Sequence, residues 1–323
     1  MDRKIHVLVS MVTILSILSC SEREMADEES VPVSFSATVA AKSGDIQPVR
    51  TLDLLVFHAD GSISTHETAH GNGLDAKVTA GPEMDWYLIA NDSPGKLEGI
   101  YTEQALRSRL SMLSDSSPSA FVMAASGRQV FMPGDHIDAE LSRLACRITL
   151  GSFSPQFLES SYPGADVRAT GLFLINVVGS CPFSMSPREG DWLNRMGMDG
   201  SLSGNLMDFL RKDLDIPLDS GTVDGPWSLY CMPNPVDNGV HSGMAAEWSP
   251  RNTRLVLELS INGVKSWYPM DLPAMECNHE YVIENVRLLG EGSWHPDIPV
   301  SRKGLHFSVS VTPWETESKD IDF

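Results

Sequence analysis

The sequence predicts an all-β protein built as two β-sandwich domains. Three observations lead there. Both ends carry strands with one apolar face: Val31, Val33, Phe35, Ala37 and Val39 alternate with polar residues, and so do Leu305, Phe307, Val309 and Val311. Turn signals recur about every ten residues between short apolar runs. Helical periodicity is scarce, so the chain reads as strands with one short helix and one long irregular insertion.

The elements follow in order. After the opening strand, TLDLLVF (51–57) leads into Asp60-Gly61, a pair that predicts a type I′ hairpin turn because glycine takes positive φ without strain. DAKVTAG (75–81) and DWYLIAN (85–91) are further strands, followed by the loop NDSPGKLEG. TEQALRSRLSMLS (102–114) predicts a helix, with Leu106, Leu110 and Leu113 on one face and Thr102 as its cap. FVMAASG (121–127) and the run Ile137–Leu150 complete the first block. Ser- and Pro-rich sequence at 152–166 breaks the pattern and sets the boundary between domains 31–155 and 156–323.

The second block opens with VRATGLFLINVV (167–178). Residues 179–227 read as the irregular insertion, with a short helix near 205–212. WSLYCMP (227–233) resumes the strands. In 251–270, Leu255, Leu257, Leu259 and Ile261 alternate up to Asn262-Gly263, a strong hairpin signal. EYVIENVRLL (280–289) and the closing strand 305–312 finish the chain.

The first twenty residues are a separate object. Arg3 and Lys4 precede an apolar run, 5–19, that is short for a membrane span and ends at Ile17-Leu18-Ser19-Cys20. Residues 1–19 read as a signal peptide and Cys20 as a lipidated cysteine of lipobox type, several acyl chains giving durable anchoring. Residues 20–30, with SEREMADEES, are polar and acidic and form a tether. The formal charge of −19 excludes nucleic-acid binding, which needs basic surface.

Residues with chemistry are dispersed. There is no GxSxG, HExxH, P-loop or GxGxxG after a strand, so no catalytic residue is assigned and the chain reads as a non-enzyme. Cys146, Cys181, Cys231 and Cys277 lack CxxC spacing and read as buried free thiols; no bridge is assigned. His66 and His70, spaced H-x3-H, read as a solvated hairpin edge. Asp213, Asp215, Asp219 and Asp224 lack the ordered spacing of a calcium loop. No metal and no cofactor is expected. Glu280 and Glu284 read as exposed. Trp227, Trp267, Trp294 and Trp314 fall on different elements, which favours core or rim positions over a sugar platform.

Several segments together resemble the fimbrillin family of Bacteroidales: the lipobox at Cys20, RTLDLLVFHADG (50–61), WYLIAND (86–92), FVMAASG (121–127), LYCMPNP (229–235), WYPM (267–270), NHEYVIENVRLLGEGSWHP (278–296) and VSVTPWE (309–315). Their order covers nearly the whole chain. The tether also resembles the surface-export signal of Bacteroidetes lipoproteins. The resemblance implies transthyretin-like sandwiches and a type V pilus subunit, exported as an outer-membrane lipoprotein to the cell surface or fimbrium. It implies that an arginine-specific protease removes the first strand (Val31, Val33, Phe35, Ala37, Val39), for which Arg50 is the candidate site. The closing strand of another subunit, here Leu305, Phe307, Val309 and Val311, then fills the groove. Partners would be other pilus subunits, the outer membrane through the lipid, and a host or bacterial surface ligand. Shaft, anchor and tip roles stay open. A surface lipoprotein that binds glycan or host protein without polymerising is the alternative from a binding class, and a secreted hydrolase the one from an enzyme class.

Overall fold

In a computed structural model, residues 30–39, 47–199, 202, 204–301 and 303–314 are described. Cys20 and the rest of 1–29 lie outside them. The first half holds β1 (Ser30–Val39), β2 (Thr51–Phe57), β3 (Ile63–His70), β4 (Gly73–Thr79), β5 (Glu83–Ala90), α1 (Glu103–Ser108), the short β6 (Leu110–Met112), β7 (Met123–Val130) and β8 (His136–Arg143). The second half holds β9 (Cys146–Ser154), α2 (Leu158–Ser161), β10 (Val167–Ile175), the short β11 (Val177–Val178), β12 (Ser180–Pro182) and β13 (Trp192–Leu193), α3 (Leu206–Leu210), β14 (Arg211–Pro217), β15 (Val223–Cys231), β16 (Arg254–Ile261), β17 (Val264–Asp271), β18 (His279–Leu288) and β19 (Leu305–Pro313).

Seven strands of the first half form one sheet, ordered β3-β2-β5-β7-β8-β1-β4. The sheet curls until its edge strands meet: Ser64 and Thr79 share a hydroxyl hydrogen bond of 3.1 Å, and Thr65 Oγ1 donates to the Lys77 carbonyl. Inside lies an apolar core with Leu52, Leu54, Val56, Val78, Met84, Trp86, Leu88 and Leu141. In the second half, sheet β14-β10-β16-β17 faces sheet β15-β9-β18-β19. Leu172, Leu174, Leu255, Leu257 and Leu259 from one and Ile148, Leu150, Tyr281 and Ile283 from the other share a core. That core continues onto Leu55, Phe57, Tyr87 and Ile89, the opposite faces of β2 and β5, so the two halves pack through one continuous cluster.

Four local expectations change. The α-helix in 102–114 ends at Ser108; Thr102 Oγ1 does accept from the Ala105 N–H at 3.2 Å, but Leu110–Met112 is pulled into a strand by pairing with β12, and a 3-10 turn follows at Leu113–Asp115. At Asp60-Gly61 only Gly61 has positive φ (81°), and its N–H bonds the His58 carbonyl, giving a turn with one left-handed residue and a register shift at Val56–Phe57 in place of type I′. Type I′ geometry occurs at Asn262-Gly263 (φ 49° and 85°). Within 179–227, Arg211–Pro217 is an edge strand on β10, with a register shift opposite Ala169–Gly171, so the insertion is partly sheet. Finally, Cys146–Ser154 lies before the boundary drawn at 155, yet it pairs with β15 and β18; its buried Cys146, Ile148, Leu150 and Phe153 belong to the second core.

Candidate functional site

The opening strand occupies an interior place in its sheet. It runs antiparallel to β4, with Val33 opposite Ala76, and parallel to β8, with Phe35 opposite Ile137. Val31, Val33, Phe35 and Ala37 point into the core and are at most 4% exposed. Val39 packs at the margin. Phe35 lies against Trp86 and, at 6.3 Å between centroids, Phe131. Trp86 has room because its partner across the sheet is Gly127; a Cβ there would stand 2.6 Å from the indole. The outward face is polar: Ser34 bonds His136 at 2.8 Å, and Ser36 donates to Asp138, which holds that carboxyl below its usual range. Taking β1 away would open an apolar slot between β4 and β8, lined by unpaired backbone groups of both.

Arg50 stands exposed just before β2. Its backbone is held on both sides: the N–H donates to Asn91 Oδ1 at 2.8 Å, and the carbonyl accepts from Gly71 at 2.9 Å. Asn91 also donates to the carbonyls of Pro48 and Phe121. It does so from a left-handed backbone (φ 59°), a conformation asparagine tolerates. Sequence reasoning missed this clamp; an asparagine ending a strand in WYLIAND was its only signal.

The closing strand is unlike the opening one. β19 is an edge strand, paired with β18 alone. Leu305, Phe307 and Val309 are only half-buried, and Val311 is 46% exposed. Its end is fastened by Trp314, which is 3% exposed. That ring stacks on Tyr230 with centroids 5.6 Å apart, meets Phe121 edge-on, and lies under the guanidinium groups of Arg143 and Arg147 at 4.6 and 5.0 Å. Arg143 Nη1 also donates to the Trp314 carbonyl.

Other singled-out residues resolve separately. Glu280 is buried, contrary to its surface reading, because Arg147 pairs with it at 2.8 Å and Thr149 donates to it; Glu284 is exposed. Asp213 and Asp215 pair with Arg211 and Arg168. His66 lies 3.5 Å from Asp53 and shares a pocket wall with His70 and Asp92. Among the described residues no three His, Cys, Asp or Glu side chains are grouped to hold a metal ion. No helix among them is long and apolar enough to cross a membrane.

No protein-family model matches the chain, and no curated protein matches it in sequence. Solved structures do match. A fimbrilin from Porphyromonas gingivalis W83 superposes with a TM-score of 0.59 at 13% identity, covering 88% of this chain and 98% of that one. The chain has the fimbrilin fold. A candidate cell adhesion protein from Bacteroides eggerthii gives a TM-score of 0.64 at 14% identity, covering 88% and 96% of the two chains. The C-terminally truncated tip fimbrial protein Mfa3 from Porphyromonas gingivalis gives 0.53 at 13% identity, covering 88% and 100%.

Proposed function

We propose that this protein is a non-enzymatic structural or adhesive subunit of a surface fimbria, assembled with other subunits by exchange of one strand. The observation that carries the reading is the contrast between the two end strands. β1 fills an interior slot with four fully buried side chains; β19 has the same alternation but leaves its apolar face half-covered on an edge. Full burial of a Val, Leu or Phe side chain contributes ~1.5–3 kcal/mol, so β19 gains by entering such a slot in a second subunit.

The sequences also superpose. Phe35-Ser36-Ala37-Thr38-Val39 and Phe307-Ser308-Val309-Ser310-Val311 place phenylalanine on phenylalanine and serine on serine. In that register Phe307 takes the place against Trp86 and Phe131, and Ser308 the place of Ser36 beside Asp138. Cleavage after Arg50 would vacate the slot, and lipidation of Cys20 would deliver the chain to the outer membrane and cell surface beforehand.

The test is cleavage of the purified chain from Ser21 onward by an arginine-specific protease, followed by electrophoresis without heating. A ladder of polymers that Phe307→Asp abolishes is the expected result. Polymers formed equally well by Phe307→Asp would remove the last strand from the mechanism. A chain that loses residues up to Arg50 yet stays monomeric would favour the binding alternative. That alternative rests on Trp294, whose indole is 71% exposed beside a pocket shared with Tyr162, Asn262 and Glu291, and a glycan array tests it directly.

A further inference from the structure

Four thiols lie near one another in the second half. Cys181 lies on β12, directly opposite Ser111 of β6, so it sits on the strand pair that joins the second half to the first. Cys277 lies in the turn that leads into β18. Their sulfur atoms are 3.4 Å apart although the residues are 96 positions apart in sequence. A disulfide has its sulfurs at ~2.05 Å, so closing the bond takes an approach of roughly 1.3 Å, within reach of side-chain rotation.

Access differs between the two. Cys181 is fully buried, whereas Cys277 is partly exposed on the wall of a cavity of about 520 Å³ that Met185, Pro235, Met275 and Pro313 also line. Cys146 and Cys231 face each other in register across β9 and β15, but both are fully buried, and the Cys146 thiol donates to the Glu276 carbonyl at 3.0 Å. Nothing reaches that second pair from outside while the fold is intact.

We propose that Cys181 and Cys277 are a thiol–disulfide site, oxidised by a small disulfide or a disulfide-carrying protein that enters the cavity at Cys277. The Cys277 thiolate attacks one sulfur of the incoming disulfide and expels the other as a thiolate, which takes up a proton. Cys181 then loses its proton and attacks Cys277 Sγ, expelling the second carrier thiol. Two protein thiols become one S–S bond, and the carrier disulfide is reduced to two thiols. The order follows from access; the Cys181 thiol, held well above its usual range by its hydrogen bond with Cys277 and by burial, is the poorer first nucleophile. The bond would tie β12, and through it β6 of the first half, to the turn that starts β18. It is independent of the fimbrial reading.

The experiment uses the purified chain from Ser21 onward, incubated with oxidised glutathione at about pH 8, where thiolates form readily. After denaturation the mass should be lower by two hydrogens, alkylation should then label two thiols in place of four, and a peptide map should join 181 to 277. The thermal midpoint should rise by roughly 5–10 °C, as expected for closing a long loop in a domain of this size. Cys181→Ser should trap a glutathione adduct on Cys277, and Cys277→Ser should make the midpoint indifferent to reductant. Four alkylated thiols after full exposure, a persistent adduct on Cys277 of the unmutated chain, or a bond between Cys146 and Cys231 would each overturn the proposal. The unmutated chain gives these outcomes by itself should either variant fail to fold.

Discussion

The phenyl ring of Phe35 meets the indole of Trp86 edge-on, with centroids 5.5 Å apart and planes inclined by 67°. This contact joins the opening strand to the middle of the sheet that encloses it, and aromatic pairs of this kind add to the burial term. Phe307, its counterpart on the closing strand, is only half-buried at an edge. Phe35→Ala should therefore destabilise the isolated subunit by ~3–5 kcal/mol and Phe307→Ala by only about 1–2. Urea unfolding of the two variants measures the difference. Equal losses would contradict the asymmetry on which strand exchange rests.

Trp314 fastens the end of the closing strand. Its ring is held between Tyr230, Phe121 and two guanidinium groups, while β19 itself rests on a single neighbour. Trp314→Ala removes that fastening and leaves the ladder to β18 intact. Amide hydrogens of 305–313 should then exchange roughly tenfold faster or more, with those of β9 little changed. Uniform acceleration over the second half would show that the tryptophan supports the whole core and not the strand end.

Much of this was legible in the sequence, for identifiable reasons. Period-two alternation marks the two end strands because each has one apolar and one polar face. The Asn262-Gly263 turn is equally plain, since both residues must take positive φ. What alternation does not encode is the neighbour. Val31–Val39 and Leu305–Val311 have nearly the same pattern, yet one is interior and the other an edge, a difference set by strand order and not by local composition. The same reason hides β9, whose buried face suits either core. Glu280 was misread because its partner Arg147 is 133 residues away in sequence. Trp314 and Asn91 likewise act on segments far from their own position.

Under the proposed cleavage, Asn91 guards the bond after Arg50. An arginine protease must lift Arg50 off both the Asn91 amide and Gly71 before the chain can enter its cleft. Asn91→Gly keeps the left-handed backbone and removes the amide, so it frees Arg50, Pro48 and Phe121 of one side-chain partner without adding strain. The hydrogen bond to Arg50 is worth about 1 kcal/mol net, so cleavage there should accelerate by roughly fivefold. Arg50→Ala should abolish it. Mass spectrometry of timed digests reads both. An unchanged rate in Asn91→Gly would mean that opening of the strand, and not release of Arg50, limits cleavage.

Asp92 makes stability depend on pH. It is 7% exposed, and neither carboxylate oxygen has a hydrogen-bond partner in good geometry. Burial pushes its carboxyl up to about 6 from the ordinary 3.8, although the Ser93 N–H and then the cation of Lys96 act in the opposite direction. An acid with a raised folded-state value takes up its proton more readily when folded. Its charge therefore destabilises the fold above about pH 6, and the penalty disappears as the pH falls through the unfolded value of 3.8. Asp53, His66 and His70 line the same pocket and Asp115 lies near, so their charges set the background against which the change is read. Asp92→Asn keeps the shape and removes the charge. It should stabilise the protein by ~1–3 kcal/mol at about pH 8, and the gain should shrink toward zero near pH 4. Urea unfolding across that range measures it. A gain that does not vary with pH would assign the effect to packing of the amide and not to the buried charge.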